Sequence, residues 1–243
     1  MPGKHMKRIA APRALILPRK EKKWVYKVSP GPHPVERSIP LAVVVRDHLH
    51  LCETGREARR IIGAGDITVD GSPQKDHKFP VGLMDVVSVP KTKQTYRILL
   101  DHHARLIPVE VKADEARWKL ARVENKTTIT GGKTQINLHD GRNILVPKDQ
   151  YKTGDVLKLE VPTQKVLGTH KMGAGSLGLI TGGAHAGEVA PIKAVEVKKG
   201  PYPNMVVLSN AEGAEFRTIK DYVFPVGEKT ADVKLPQVKT HGQ

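Results

Sequence analysis

The chain is short of cysteine, aromatic rings and long apolar runs, and each shortage removes a class of function. One cysteine, Cys52, in 243 residues can form no internal disulfide. Nor can it build the closed, Cys-rich tetrahedral sites of structural zinc. No run of about 18 apolar residues exists to cross a bilayer as a helix, and the N-terminus has no apolar signal-peptide stretch. The sequence therefore reads as a cytoplasmic protein with no membrane partner. Aromatic residues make up 4% of the chain, too few for a sheet that stacks several bases on rings. The eleven histidines are scattered. His48 and His50 lie two apart and His102 and His103 are adjacent, whereas a helical metal pair needs a spacing of three or four. The expectation is solvated histidines, no metal and no cofactor.

Positive charge is what the chain has in excess. Forty Lys and Arg against 25 Asp and Glu leave +15 and a pI near 9.9. The first 38 residues hold ten basic and two acidic residues, so about half of the net charge occupies less than a sixth of the length. Pro2, Pro12, Pro18, Pro30, Pro32 and Pro34 exclude a long helix there, because each ring removes a donor and restrains its predecessor. Residues 1–37 read as an extended basic arm that repels itself in isolation and orders against a polyanion. Nucleic acid is the favoured partner, and Lys4, His5, Lys7, Arg8, Arg13, Arg19, Lys20, Lys22 and Lys23 are its candidate contacts; a tail kept only for solubility needs no Trp24 or Tyr26 among its charges.

Residues 38–92 read as a first folded unit. Ser38 is a candidate N-cap, with Pro40 in the first turn of a helix that runs to Leu51. Leu41, Val45 and Leu49 then share one face, and Arg46, Asp47 and His50 turn outward, which adds Arg46 to the candidate contacts. Thr54 and Glu57 have the spacing of a capping box, and Gly63 or Gly65 offers a left-handed stop. At 100° per residue Arg56, Arg59 and Arg60 gather on one side of that second helix, opposite Ala58, Ile61 and Ile62. Asp70-Gly71 marks a tight hairpin after the strand beginning at Asp66, and Val86 to Val89 supplies another strand.

Beyond residue 93 the signals are β. Tyr96, Ile98 and Leu100 alternate, as do Ile107, Val109 and Val111, and later Leu157, Leu159 and Val161. Gly131-Gly132 and Asp140-Gly141 mark turns, and residues 113–120 are the only helical candidate. A β-rich central domain over 93–168 follows. Two nucleotide motifs fail on context. "TGGKT" at 130–134 lacks the P-loop's first glycine, having Thr127 there, and "GAGSLG" at 173–178 precedes no helix. Residues 169–235 read as a third domain, with strands at 179–182, 195–197, 205–208 and 216–219. The last residues, 236–243, read as a tail.

Two stretches carry a family resemblance. "ETGREARRIIGAGDITVDGSPQ…VGLMDVVSV" resembles the S-four-type RNA-binding fold. That resemblance implies Arg56, Arg59 and Arg60 as contacts to structured RNA, with Lys75 and Lys78 on the loop. "GSLGLITGGAHAGEVAPIKAVEV" resembles a KOW motif, whose characteristic glycine matches Gly187. It implies an SH3-like β-barrel with a contact loop at 182–187, carrying Gly183 and His185 as RNA-binding candidates. The whole is an α+β multidomain protein: an S-four-like unit, a β-rich centre and a C-terminal KOW barrel. In that order, and with "KHMKRIAAP" and "TGGAHAG", the chain resembles the archaeal form of the S-four-E family of ribosomal proteins. The family implies a structural, non-enzymatic component of the 30S subunit, monomeric, bound to 16S rRNA and to neighbouring small-subunit proteins. The alternatives are an RNA-modifying enzyme or its RNA-binding subunit, for which no catalytic group can be placed, and an elongation factor, which leaves the arm unexplained.

Overall fold

The computed structural model describes residues 5–147, 149–210, 213–228 and 230–234. Lys4 and the tail expected at 236–243 lie outside them. The chain divides into two compact units, the first built from 1–99, 105–119 and 161–163, the second from the rest.

In the first unit the arm is folded rather than extended. Strands β1 (Met6–Lys7) and β2 (Trp24–Val25) pair antiparallel, with Lys7 opposite Trp24. Ala11, Ala14, Leu15 and Val28 are buried, and Leu106 N–H donates to Ala14 C=O at 3.0 Å. The reason is the apolar run Ala14 to Leu17, which can bury enough surface to hold the arm down despite its charge.

Strand β3 (Ser38–Pro40) follows, then a short helix α1 (Leu41–Val43) that widens into a π-turn over Val44–His48. This corrects two expectations. Ser38 caps no helix: it sits in a strand and its hydroxyl donates to Pro34 C=O at 2.7 Å. Leu41 to Val45 are all buried, so the segment is enclosed rather than striped. The three consecutive valines blur a 3.6-residue period that would otherwise have separated the faces.

Helix α2 (Gly55–Gly63) leads to β4 (Thr68–Val69), β5 (Ser72–Pro73), β6 (Pro80–Gly82), β7 (Val86–Val89), β8 (Gln94–Leu100) and β9 (Leu106–Glu110). β6 pairs with β3, and the others form a sheet in the order β5-β4-β7-β8-β9. The Asp70-Gly71 turn joins β4 to β5 with both φ angles positive, 49° and 72°, the geometry a two-residue hairpin needs. Strands 94–100 and 106–110 thus complete the first unit's sheet. The helix expected at 113–120 is also absent. Only a single 3₁₀ turn forms, at Glu115–Arg117, before the chain straightens at Trp118 to carry Lys119 into the interior.

The second unit holds two five-stranded sheets. Strands β10 (Trp118–Thr128), β11 (Thr134–Leu138), β12 (Asn143–Val146), β13 (Val156–Glu160) and β14 (Val166–His170) form the first, ordered β12-β11-β10-β13-β14. Its core is Ala121, Val123, Ile136, Leu138, Leu157 and Leu159. The glycines of "TGGKT" and Asp140-Gly141 turn its hairpins, as expected. Strands β15 (Leu177–Ile180), β16 (Val189–Glu196), β17 (Met205–Ser209), β18 (Glu215–Ile219) and β19 (Val223–Gly227) form the other, ordered β18-β17-β16-β15-β19. Ala190, Ile192, Val206, Leu208 and Val223 make its core.

Candidate nucleic-acid interface

Helix α2 begins on the predicted capping box. Thr54 Oγ1 accepts from Glu57 N–H at 3.3 Å, and the Glu57 carboxylate accepts from the N–H groups of Thr54 and Glu53 at 3.3 and 3.2 Å. The Thr54 side-chain and backbone bonds, the Glu53 backbone bond and the field of Arg60 hold the Glu57 carboxyl below its ordinary range. That carboxylate is therefore engaged with the helix start rather than with an arginine. Ala58 and Ile62 are buried, whereas Arg56, Arg59 and Arg60 are exposed. Arg59 Nε donates to Gly55 C=O at 3.3 Å. The guanidinium groups of Arg56 and Arg60 form no hydrogen bond or ion pair to any described residue. The helix thus offers one apolar side to the core and three guanidinium groups to solvent. Lys75, exposed, and Lys78, half-buried, lie on the loop between β5 and β6.

The arm joins this surface through Tyr26, whose hydroxyl donates to Gly55 C=O at 3.2 Å. A polar cleft of about 860 Å³ opens alongside and brings together Arg8, Arg13, Arg19, Lys22 and Arg46 from the predicted set. Arg13 and Lys22 are exposed there. Arg19 is exposed too, yet it is pinned, donating to the carbonyls of Ile9, Ala11 and Pro12 at 3.1, 2.8 and 3.3 Å. Neutral carbonyls orient that guanidinium without cancelling its charge. Sequence reasoning missed Arg105, which also lines the cleft; it reaches there because its neighbour Leu106 bonds to the arm, a long-range pairing with no local signal.

Two predicted contacts are engaged within the protein. Arg8 is buried and faces inward, donating to Pro18 C=O at 2.7 Å, so its role is to hold the arm's fold. Arg46 is half-buried against Asp47, with Nε at 2.6 Å and Nη2 at 2.8 Å from the carboxylate oxygens. That hydrogen-bonded pairing raises its pKa and cancels its charge locally. His5, Lys7, Lys20, Lys22 and Lys23 are exposed, and Lys23 sits over the Trp24 ring at 5.3 Å.

The first unit also contains a buried ionic network that the residue pattern did not foreshadow. Lys119 Nζ donates to Asp70 at 2.7 Å and to Asp85 at 2.9 Å, and His33 Nε2 lies 2.9 Å from Asp85. His33 is buried, as is most of His48, whose pKa burial lowers. Solvated histidine is therefore wrong for both, because spacing shows only that a metal pair is absent, not that a ring is exposed. A signal exists in the aspartates: Asp70 and Asp85 each follow or precede an apolar run within a strand pattern, where an unpaired carboxylate would be costly.

In the second unit the loop 182–187 contains Gly183, exposed with φ +90°, and the half-buried His185. The His185 ring packs on Phe216 at 4.3 Å and its Nδ1 lies 3.1 Å from Glu188, so it is held at the surface rather than free-standing. Among the described residues no cluster of three His, Cys, Asp or Glu side chains could hold a metal ion, and no helix is long and apolar enough to cross a membrane.

Three family models match the chain: an RS4NT domain over residues 2–36, an S4 domain over 39–87, and Ribosomal family S4e over 92–166. Among curated relatives, the small ribosomal subunit protein eS4 of Archaeoglobus fulgidus is 51% identical over 228 residues, covering 94% of this chain and 95% of that protein. The eS4 protein of Methanothermobacter thermautotrophicus is 46% identical over 233 residues, covering 96% of each. The crystal structure of the 30S ribosomal protein S4e from Thermoplasma acidophilum superposes with a TM-score of 0.70 at 34% identity, covering 81% of this chain and 99% of that one. Residues, fold and relatives agree: this chain belongs to the ribosomal protein family S4e.

Proposed function

We propose that the chain is a structural, non-catalytic component of the archaeal small ribosomal subunit, acting in the cytoplasm as a monomer that binds 16S-type rRNA and neighbouring small-subunit proteins. The observation that carries this is the exposed triad Arg56, Arg59 and Arg60 on a helix whose other side is locked into the core of an S4 domain. A rigid helix holds the three forks at fixed spacing, and a planar guanidinium can bridge two phosphate oxygens where an ammonium cannot. The deep, narrow major groove of A-form RNA excludes side chains, so such a face meets RNA through shape and phosphates. Lys75 and Lys78 on the loop, and Arg13, Arg19 and Lys22 in the arm's cleft, would add to it.

In the second unit the antiparallel hairpins of the sheet β18-β17-β16-β15-β19 support reading it as a KOW-type barrel, and its loop 182–187 with Gly183 and His185 is the proposed contact. Co-sedimentation tests the proposed function. The chain stays with 30S subunits at moderate salt in near-equal amount, and a substoichiometric presence there would point instead to an enzyme or a factor.

A further inference from the structure

A smaller cleft, of about 480 Å³, lies in the second unit beside the turn joining β16 to β17. We propose that it takes an unpaired RNA base, stacked on Tyr202, with the adjoining phosphate met by Lys198 or Lys199. This deepens the rRNA-binding reading and rests on it.

Tyr202 is 71% exposed, the most open Phe, Trp or Tyr side chain among the described residues. A ring left in water forfeits the burial that usually justifies an aromatic side chain, so it serves no packing role in the isolated chain. The backbone that carries it is nevertheless anchored. Pro201 and Pro203 fix φ on either side, Lys198 N–H donates to Asn204 Oδ1 at 3.0 Å, and Lys220 N–H donates to Asn204 C=O at 2.8 Å. With the turn's backbone already fixed, a base that stacks on the ring has only the side chain's own rotations to still.

The electrostatics point to RNA rather than to a protein ridge. Lys198 and Lys199 are exposed and their ammonium groups form no hydrogen bond or ion pair to any described residue. The cleft's acids are Glu124, engaged by Arg122 at 3.1 Å through Nε, and Asp221. A flat ring beside two unneutralised lysines is the arrangement by which single strands are bound without sequence readout.

NMR titration of the full chain with a short oligouridylate tests the site residue by residue. The backbone N–H signals of residues 197–204, Pro201 and Pro203 excepted, should shift along a saturating curve. Tyr202→Ala should raise the half-saturating concentration about five- to a hundredfold, whereas Tyr202→Trp should stay within about threefold. Because the side chain is exposed, both variants should retain the wild-type spectrum elsewhere. If the oligonucleotide shifts amides of α2 but leaves 197–204 unmoved, or if Tyr202→Ala titrates like wild type, the site is refuted while the rRNA-binding reading stands; a ring that docks on protein would give this result. If neither region responds and folded 16S-type rRNA is not bound either, both readings fail.

Discussion

Lys119 and Asp85 meet inside the first unit, Nζ to Oδ1 at 2.9 Å, with both side chains shut off from solvent. Asp70 takes a second proton of the same ammonium at 2.7 Å, and the other oxygen of Asp85 accepts from Gly82 N–H at 2.9 Å. One cation thus joins the Asp70-Gly71 hairpin to the start of the strand that follows Asp85. Removing it would leave two carboxylates buried side by side. Lys119→Met should destabilise the protein by about 3–5 kcal/mol, read from the urea midpoint, because breaking a buried pair strands its partner charges. A change below about 1 kcal/mol, the range of a surface pair, would contradict this.

The same network sets an acid limit. Burial by itself pushes the Asp85 carboxyl up, but His33 and Lys119 outweigh it and hold the group far below the ordinary carboxylate range. A depressed folded pKa means that the stabilisation is complete above the unfolded carboxylate value of about 3.9 and is lost as pH falls below it. The melting temperature should therefore drop steeply under about pH 4, and Asp85→Asn, less stable at neutral pH, should show a shallower acid slope. Parallel pH profiles for the two proteins would remove Asp85 from the explanation.

The cap and the stop of α2 could be read in advance because both are local. Thr54 and Glu57 sit three apart and need no distant partner, and the Arg56, Arg59, Arg60 face follows from helical period alone. What escaped the sequence depended on contacts far along the chain. Trp118 to Leu120 carry helix-compatible spacing, yet Lys119 is drawn into the interior by aspartates 34 and 49 residues away. The arm's charge suggested disorder, whereas Ala14 and Leu15 bury against the sheet. Arg8 and Arg46 show the remaining gap: residue type identifies a guanidinium, but only the fold decides whether it faces a carbonyl, a carboxylate or solvent.

Without its cap, α2 should loosen while the unit stays folded. Thr54→Ala is expected to cost about 1 kcal/mol, with faster amide exchange confined to the first turn of the helix. Global acceleration of exchange would mean that the capping box supports more than its own helix.

Gly187 should tolerate no side chain. With φ at +87°, an added Cβ would lie 2.5 Å from Asp101 C=O and 2.7 Å from His102 Cα, both backbone atoms that cannot swing aside. Gly187→Ala should therefore lower stability by more than about 1–3 kcal/mol, the strain of the backbone alone. Gly183, whose Cβ would meet only the edge of Tyr222 at 3.9 Å, should respond less, and thermal melts of the two variants compare them directly.

The claim on which the functional account stands is that the outward side of α2 touches phosphates. Its most direct test is the salt dependence of binding to a 16S-type rRNA fragment, comparing wild type with Arg56→Gln/Arg59→Gln/Arg60→Gln. The account predicts weaker binding and a log–log slope shallower by about 0.7–0.9 for each phosphate that is no longer neutralised. A folded variant that binds with unchanged affinity and slope would contradict it.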